Sequence, residues 1–140
     1  MRKLGIGATC AAFVFAGAYY WHTPSSPLQS STKAVPLVAV TLPASFSGKA
    51  KRGVQGFEEN CAACHGANAA GQNGVAPPLI HKIYEPGHHG DESFQRAVAQ
   101  GVRAHHWRFG NMPPIEGVSR KEVANIIAYI REVQQANGIN

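Results

Sequence analysis

Two cysteines and a histidine stand close together in the stretch ENCAACHGAN, where Cys61, Cys64 and His65 have the spacing C-x-x-C-H. Cysteines three positions apart lie about one helical turn apart, so both sulfur atoms can point the same way. Each sulfur can then bond to one vinyl group of a porphyrin, while the next residue brings an imidazole to the iron. This spacing is the attachment signal of a c-type haem. It predicts a fold built around one covalent haem, with His65 as an axial ligand.

Two other uses of a C-x-x-C pair are weaker explanations of the motif. A thioredoxin-like dithiol is preceded by a strand, whereas the segment SGKAKRGVQGFEEN has a helical pattern with Ser47 as a candidate N-cap. A zinc site needs a second pair of ligands, and the one remaining cysteine, Cys10, lies in an apolar N-terminal run. Few cysteines also disfavour a disulfide scaffold.

The N-terminal residues 1–21 have the pattern of a membrane-targeting segment. Two basic residues precede a long uncharged, mostly apolar run, residues 4–21. As a helix this run would reach about 27 Å, just short of a hydrocarbon core of ~30 Å. We interpret it as an uncleaved inner-membrane anchor, with a cleaved signal peptide as the alternative because A-G-A at 16–18 resembles a cleavage site. Both place the rest of the chain in the periplasm.

Proline, serine and threonine dominate residues 22–45, which we interpret as a flexible linker. The alternative is that its VPLVAV stretch packs on the following domain as a short strand. Residues 46–140 form the predicted domain. At 140 residues and 44% hydrophobic composition, the chain can bury one small core. Its net charge of +5 is too small and scattered for a nucleic-acid surface.

The segment SRKEVANIIAYIREVQQANG is predicted to form the last helix. Ser119 and Glu122 have the S-x-x-E spacing of a capping box, and Gly138 is placed to end the helix. The apolar residues between them recur at helical spacing and share one face; they are Val123, Ile126, Ile127, Ile130 and Val133. A shorter amphipathic helix is predicted in DESFQRAVAQG, with Asp91 as its cap.

With these features the chain resembles the class I c-type cytochromes over residues 47–136. The resemblance rests on C-x-x-C-H, on Gly53 and Phe57 preceding it at four-residue intervals, and on Tyr129 in the last helix. It implies an all-α fold in which the N- and C-terminal helices cross, with a short middle helix and loops around one covalent haem. Gly53 would allow the close approach, and Phe57 and Tyr129 would fill the crossing.

The resemblance also implies further haem-binding residues. The Pro77 carbonyl would accept a hydrogen bond from the His65 imidazole, although Pro78 could lie nearest the ring instead. Met112 would be the sixth iron ligand. It is the only methionine besides the initiator, and a soft thioether favours ferrous iron. The alternative is a methionine that fills a gap in the core.

Five histidines fall in the 26 residues that run from His81 through the pairs His88-His89 and His105-His106. We expect hydrogen bonds to haem propionates, to backbone or to solvent, with at most one inward residue per pair. Open alternatives are a copper or zinc site formed by His88 or His89 with His105 or His106, replacement of Met112 at the iron by His105 or His106, and a pH-dependent docking surface. Trp107 is expected to donate to a propionate, or else to stack on Arg108.

No nucleophile or acid-base pair is recognisable, so we expect an electron carrier and not an enzyme. The predicted function is one-electron transfer by a monomer between membrane or periplasmic redox proteins. The alternative function is a haem subunit of a specific dehydrogenase or oxidase, or a copper-linked haem sensor.

Overall fold

The structure is a computed structural model that describes residues 35–140, and the predicted anchor, residues 1–21, lies outside them. Within the described part of the chain, no helix is both long and apolar enough to span a membrane. Residues 35–140 form helices and no strands, which confirms the predicted all-α fold. The elements are α1 (Gly48–Asn60), α2 (Ala62–His65), a 3-10 turn (Ala67–Ala69), a second 3-10 turn (Lys82–Tyr84), α3 (Asp91–Gln100) and α4 (Arg120–Ala136).

Helices α1 and α4 cross in close contact, as the sequence predicts. A Cβ atom on Gly53 would overlap the backbone carbonyl of Asn125 and come within 2.9 Å of Tyr129 Cβ. Phe57 and Tyr129 are buried beside this contact, with ring centroids 5.3 Å apart, and Phe46 packs on Tyr129 at the same distance. A side chain at position 53 would therefore push the two helices apart.

The predicted capping box of α4 is present. Ser119 Oγ accepts from the backbone N–H of Glu122, and the Glu122 carboxylate accepts from the backbone N–H of Ser119. The cap of α3 differs from the prediction, because Asp91 is the first helical residue and Gly90 occupies the N-cap. Gly90 has the extended backbone of an N-cap, and Ser93 donates its hydroxyl to the Gly90 carbonyl.

Residues 35–45, which the sequence assigns to the linker, lie against the helical unit. The backbone N–H groups of Leu37 and Val38 both donate to the Ala70 carbonyl, at 3.1 and 3.2 Å. Thr41 exchanges two hydrogen bonds with the Asn137 side chain at the end of α4. The VPLVAV stretch thus packs on the domain, as its alternative interpretation expected, but as irregular chain and not as a strand.

Gln134 connects α4 to the segment between α2 and α3. Its side chain is fully buried, and its amide donates to the carbonyls of Leu79 and Tyr84 at 2.9 and 3.1 Å. Arg131 Nη1 donates to the Gln134 side-chain oxygen, so that the buried amide is satisfied at both ends. These bonds fix one wall of the cavity described next.

Candidate functional site

The end of α1 and the short helix α2 bring the three motif residues together. The chain turns at Cys61, whose N–H donates to the Phe57 carbonyl, and the His65 N–H then donates to the Cys61 carbonyl at 2.9 Å. Gly66 has φ = +72°, and a Cβ there would lie 2.5 Å from the Gly71 carbonyl oxygen. The tight turn after His65 therefore requires glycine.

The His65 imidazole is oriented by the backbone of Pro77. His65 Nδ1 lies 2.9 Å from the Pro77 carbonyl oxygen. A carbonyl can only accept, so Nδ1 carries the hydrogen and Nε2 keeps a free lone pair. Burial lowers the pKa of His65, and the bond to Pro77 only partly opposes this. The ring is therefore neutral at pH 7, in the state that binds a metal. The contact is made by Pro77 rather than by the fully buried Pro78.

Before any cofactor is attached, the two motif cysteines are free thiols. Cys64 is exposed and Cys61 is half-buried. Burial first, and the neighbouring Cys64 second, raise the pKa of Cys61 to about 11. Cys61 is therefore a neutral thiol at pH 7, which keeps an unpaired negative charge out of the cavity wall.

Cys61, Cys64 and His65 line one side of a cavity of about 750 Å³. This volume falls in the range typical of small-molecule and cofactor sites. Aliphatic and aromatic side chains of α3 and α4 supply much of the remaining wall; they include Phe94, Val98, Val123, Ile126, Ile127 and Ile130. An apolar cavity beside two thiols and a neutral imidazole suits a flat, largely apolar cofactor attached by thioethers.

Met112 lines the same cavity, at the end of a loop that begins after α3. Its backbone is paired with that of Val102 by two hydrogen bonds of 2.9 and 3.0 Å. Asn111 closes the loop further, because its side-chain oxygen accepts from the Ala104 N–H at 2.9 Å. Gly101, with φ = +75°, makes the turn into the loop. These hydrogen bonds thus fix the backbone of Met112, whose side chain is half-buried.

Trp107 also lines the cavity and carries a buried polar atom. Its indole Nε1–H is buried and makes no well-formed hydrogen bond among residues 35–140, although the Tyr84 hydroxyl lies near it. A buried donor left unpaired costs about 1–3 kcal/mol, so this group calls for an acceptor inside the cavity, as a haem propionate would be. The alternative stack on Arg108 is not observed in the described residues. The ring packs against Phe109 and His81 instead, with centroids 5.9 and 5.1 Å away.

Four of the five histidines come together at one edge of this cavity. His88 Nε2 lies 3.4 Å from His106 Nε2, and the rings of His88 and His89 are both within 5.3 Å of the His106 ring, centroid to centroid. His88 is exposed and His89 is half-buried, although both rings reach His106. The N–H groups of both residues donate to the Glu85 carbonyl, and in such a turn adjacent side chains need not point to opposite sides as they do in a strand.

His105 packs on His106 at the edge of this group, with ring centroids 4.2 Å apart, whereas His81 stands apart from it. His105 Nδ1 is 2.8 Å from the Arg103 carbonyl, and its ring stacks near His89 with centroids 6.0 Å apart. His81 Nδ1 accepts from the Ile83 N–H at the start of the second 3-10 turn. Loss of hydration, and then the neighbouring imidazoles of His105, His89 and His88, lower the pKa of His106.

Sequence reasoning missed Arg131, which holds the His88-His89 segment in place. Its guanidinium donates to the carbonyls of Tyr84 and His89, both at 2.6 Å, and lies 5.0 Å from the Phe94 ring centroid. The one available signal was Gln134, a polar residue four positions after Ile130 on the apolar face of α4. Such an interruption indicates a buried polar contact, although it does not identify the partners.

Comparison with known proteins gives consistent matches. The family model described as cytochrome c matches residues 50–134. A cytochrome c6 from Picosynechococcus sp. is 36% identical over 99 residues, which cover 66% of this chain and 80% of the relative. The matched residues contain the C-x-x-C-H motif, the cavity and the crossing of α1 with α4.

Proposed function

Because the chain belongs to the cytochrome c family, we propose that His65 and Met112 are its axial iron ligands and that it passes single electrons between exported redox proteins. Membership establishes one covalently bound haem c and the role of an electron carrier rather than an enzyme. The haem supplies the one-electron couple of its iron. Attachment through Cys61 and Cys64 follows from the motif.

The hydrogen bond between His65 and Pro77 is the observation that carries this proposal. It uses Nδ1, at 2.9 Å, and so leaves Nε2 for the iron. Such a bond fixes the orientation of a ligating imidazole and raises its basicity. A histidine that only filled the core would not need its second nitrogen free beside two thiols in an apolar cavity.

Met112 is proposed as the second axial ligand because its backbone is held where its side chain borders the cavity. The paired bonds with Val102 fix the residue at the cavity wall. A thioether ligand raises the reduction potential relative to a second imidazole. With both positions filled by the protein, substrate and solvent are kept from the iron, which suits electron transfer.

Trp107 is proposed to donate its indole N–H to a haem propionate. The donor is buried, borders the cavity and makes no well-formed hydrogen bond among the described residues. A hydrogen bond to an ionised acceptor contributes about 1.5–3 kcal/mol. The ring would thereby fix one polar edge of the haem while Phe109 and His81 hold the ring itself.

We place the domain in the periplasm, held at the inner membrane by residues 1–21 or released if that segment is cleaved. The proposal depends on the basic and apolar sequence of that segment. The redox partners would contact the edge of the cavity where Cys64 and Val75 are exposed to solvent. Exchange at one such edge requires no second copy, so we propose a monomer.

The ferric visible and near-infrared absorption spectrum tests the ligand assignment. We expect the weak sulfur-to-iron charge-transfer band in the haem-loaded native chain. It should disappear in Met112→Ala and persist in His105→Ala and His106→Ala. A native spectrum without the band, or one that gains it only when a histidine is removed, contradicts ligation by Met112.

Fractionation tests the location. The full chain, produced with its own N-terminus and haem maturation machinery, should be recovered with membranes, and its intact mass should include residues 1–21. A shorter soluble product would indicate cleavage. A haem-free product in the cytoplasm would contradict export.

A further inference from the structure

Three imidazoles from two separate segments come close together, and none of them is a proposed iron ligand. His88 and His89 precede α3, and His106 lies in the loop that ends at Met112. One ring nitrogen from each residue can be chosen so that all three atoms lie within 4.8 Å of one another. Neutral imidazole is a common ligand of zinc and copper in proteins.

The distance between His88 and His106 fits a shared metal ion better than a hydrogen bond. Their Nε2 atoms are 3.4 Å apart, beyond the usual hydrogen-bond range of about 2.7–3.2 Å. With metal–nitrogen distances of about 2.0–2.1 Å, two ligands of a tetrahedral ion lie roughly 3.4 Å apart. The pair is therefore already at the separation that an ion would require.

His89 is oriented as a metal ligand would be. Its Nδ1 is 2.6 Å from the Ile83 carbonyl, which leaves Nε2 free. Metal-ligating histidines commonly donate their other nitrogen in this way. Arg131 holds the backbone of the same residue by donating to the His89 carbonyl. The position of His89 is thus fixed by the protein before any ion arrives.

We propose that His88, His89 and His106 form a second metal site, which binds a divalent transition ion of the Cu²⁺ or Zn²⁺ class. Three protein ligands leave a fourth position for water. His88 and His106 are exposed, so the ion can enter from solvent. Bound there, the ion would link the segment before α3 to the loop that carries Met112 and so stiffen one edge of the cavity.

Isothermal titration of the haem-loaded full chain with ZnCl₂, and separately with CuCl₂, tests the site. The protein must carry no histidine tag. We expect one ion per chain, with affinity at least about tenfold weaker in His88→Ala and His106→Ala, since each removes one of three ligands. His105→Ala is the matched control. It removes the neighbouring imidazole, which lies outside the group, and should leave the affinity within about twofold.

The haem absorption spectrum of each variant shows whether the fold and the iron ligands are intact. A second readout needs no variant: the electron paramagnetic resonance spectrum of one equivalent of Cu²⁺ should show coupling to several imidazole nitrogens. The proposal is overturned if the native chain binds neither ion stoichiometrically, if His105→Ala weakens binding as much as His106→Ala does, or if the Cu²⁺ spectrum shows no imidazole nitrogen. Failure of the Met112 assignment leaves these outcomes unchanged except where His106 itself binds the iron, and a changed haem spectrum in His106→Ala identifies that case.

Discussion

Two sides of the cavity are built in different ways. The proximal side, which consists of α1, α2 and residues 66–80, is held by short-range backbone bonds and by the crossing with α4. The cover, residues 81–112, is held by side chains that reach it from far along the chain. On the proximal side the Gly71 N–H donates to the His65 carbonyl, six residues away. In the cover, Arg131 donates to Tyr84 and His89, which precede it by 47 and 42 residues.

The difference shows which contacts of a cofactor site are made between residues that are close together in the sequence. The His65 imidazole is fixed by a turn and a nearby carbonyl, so its position depends on few residues. The cover holds the other proposed ligands, which are Met112 and the three clustered histidines. Its position depends on Arg131 and Gln134 of α4. Changes at the helix crossing should therefore affect the whole domain, whereas changes at Arg131 should loosen the cover first.

The largest effect is expected for Gly53→Ala. The new Cβ would overlap the Asn125 carbonyl, which is backbone and cannot move aside. We expect the free energy of unfolding to fall by about 3 kcal/mol, as measured by guanidinium denaturation of the haem-loaded chain. Gly48→Ala in the same helix is the control. Its Cβ would meet nothing closer than the Arg52 side chain at 4.0 Å, so a comparable loss there would mean that the crossing is not the cause.

High pH should break the crossing through Tyr129. Burial, and secondarily the charge of Glu58, raise the pKa of its hydroxyl from 10.0 to about 12. The unfolded state therefore releases the proton at lower pH than the folded state, and stability falls as pH rises from about 10 to 12. Two pKa units set an upper limit of about 2.7 kcal/mol on this loss, and solvent that reaches the hydroxyl reduces it. From pH 10 to 12 the native chain should therefore lose more unfolding free energy than Tyr129→Phe does, by up to this amount.

A flat difference between the two proteins from pH 9 to 12 would contradict a raised pKa for the Tyr129 hydroxyl. The comparison removes the other groups that titrate in the same range, because both proteins contain them. The loss should also be global, since Tyr129 packs on both Phe46 and Phe57 at the crossing.

Arg131→Met should separate the cover from the proximal side. The substitution keeps an apolar stem but leaves the His89 carbonyl and the Gln134 side-chain oxygen without their donor, and the Tyr84 carbonyl with one donor of its two, at an expected cost of about 2 kcal/mol. Hydrogen exchange should accelerate in residues 82–91 more than in residues 61–71. Arg120→Met is the control, because its bridge to Glu92 is exposed on both sides and should contribute less than about 0.5 kcal/mol.

Uniform acceleration of exchange in Arg131→Met would contradict the distinction between the two sides. So would an equal effect of Arg120→Met, since that residue does not reach the cover carbonyls.

The proximal side and the helices could be predicted from sequence because their signals are local. The C-x-x-C-H spacing, the apolar period of α4 and the Ser119-Glu122 box each occupy a few consecutive turns. Of the cover only the helix α3 could be predicted in this way, and its long-range side-chain contacts could not. Nothing in the spacing pairs Arg131 with His89, and the convergence of His88 with His89 depends on a turn around Glu85. The contact of residues 35–45 with Ala70 and Asn137 is long-range in the same sense.

The smallest expected effect tests whether a serine at an N-cap position is enough to predict that it stabilises the helix. Ser119 and Ser47 both occupy N-caps, but only Ser119 accepts a hydrogen bond from the helix backbone through its side chain. Ser119→Ala should therefore lower the free energy of unfolding by about 1 kcal/mol. Ser47→Ala should cost only a few tenths, because Ser47 contributes its backbone N–H, which donates to Glu132 and survives the substitution. Equal losses in guanidinium denaturation would mean that residue type at the cap, and not the bond, sets the stability of these helix ends.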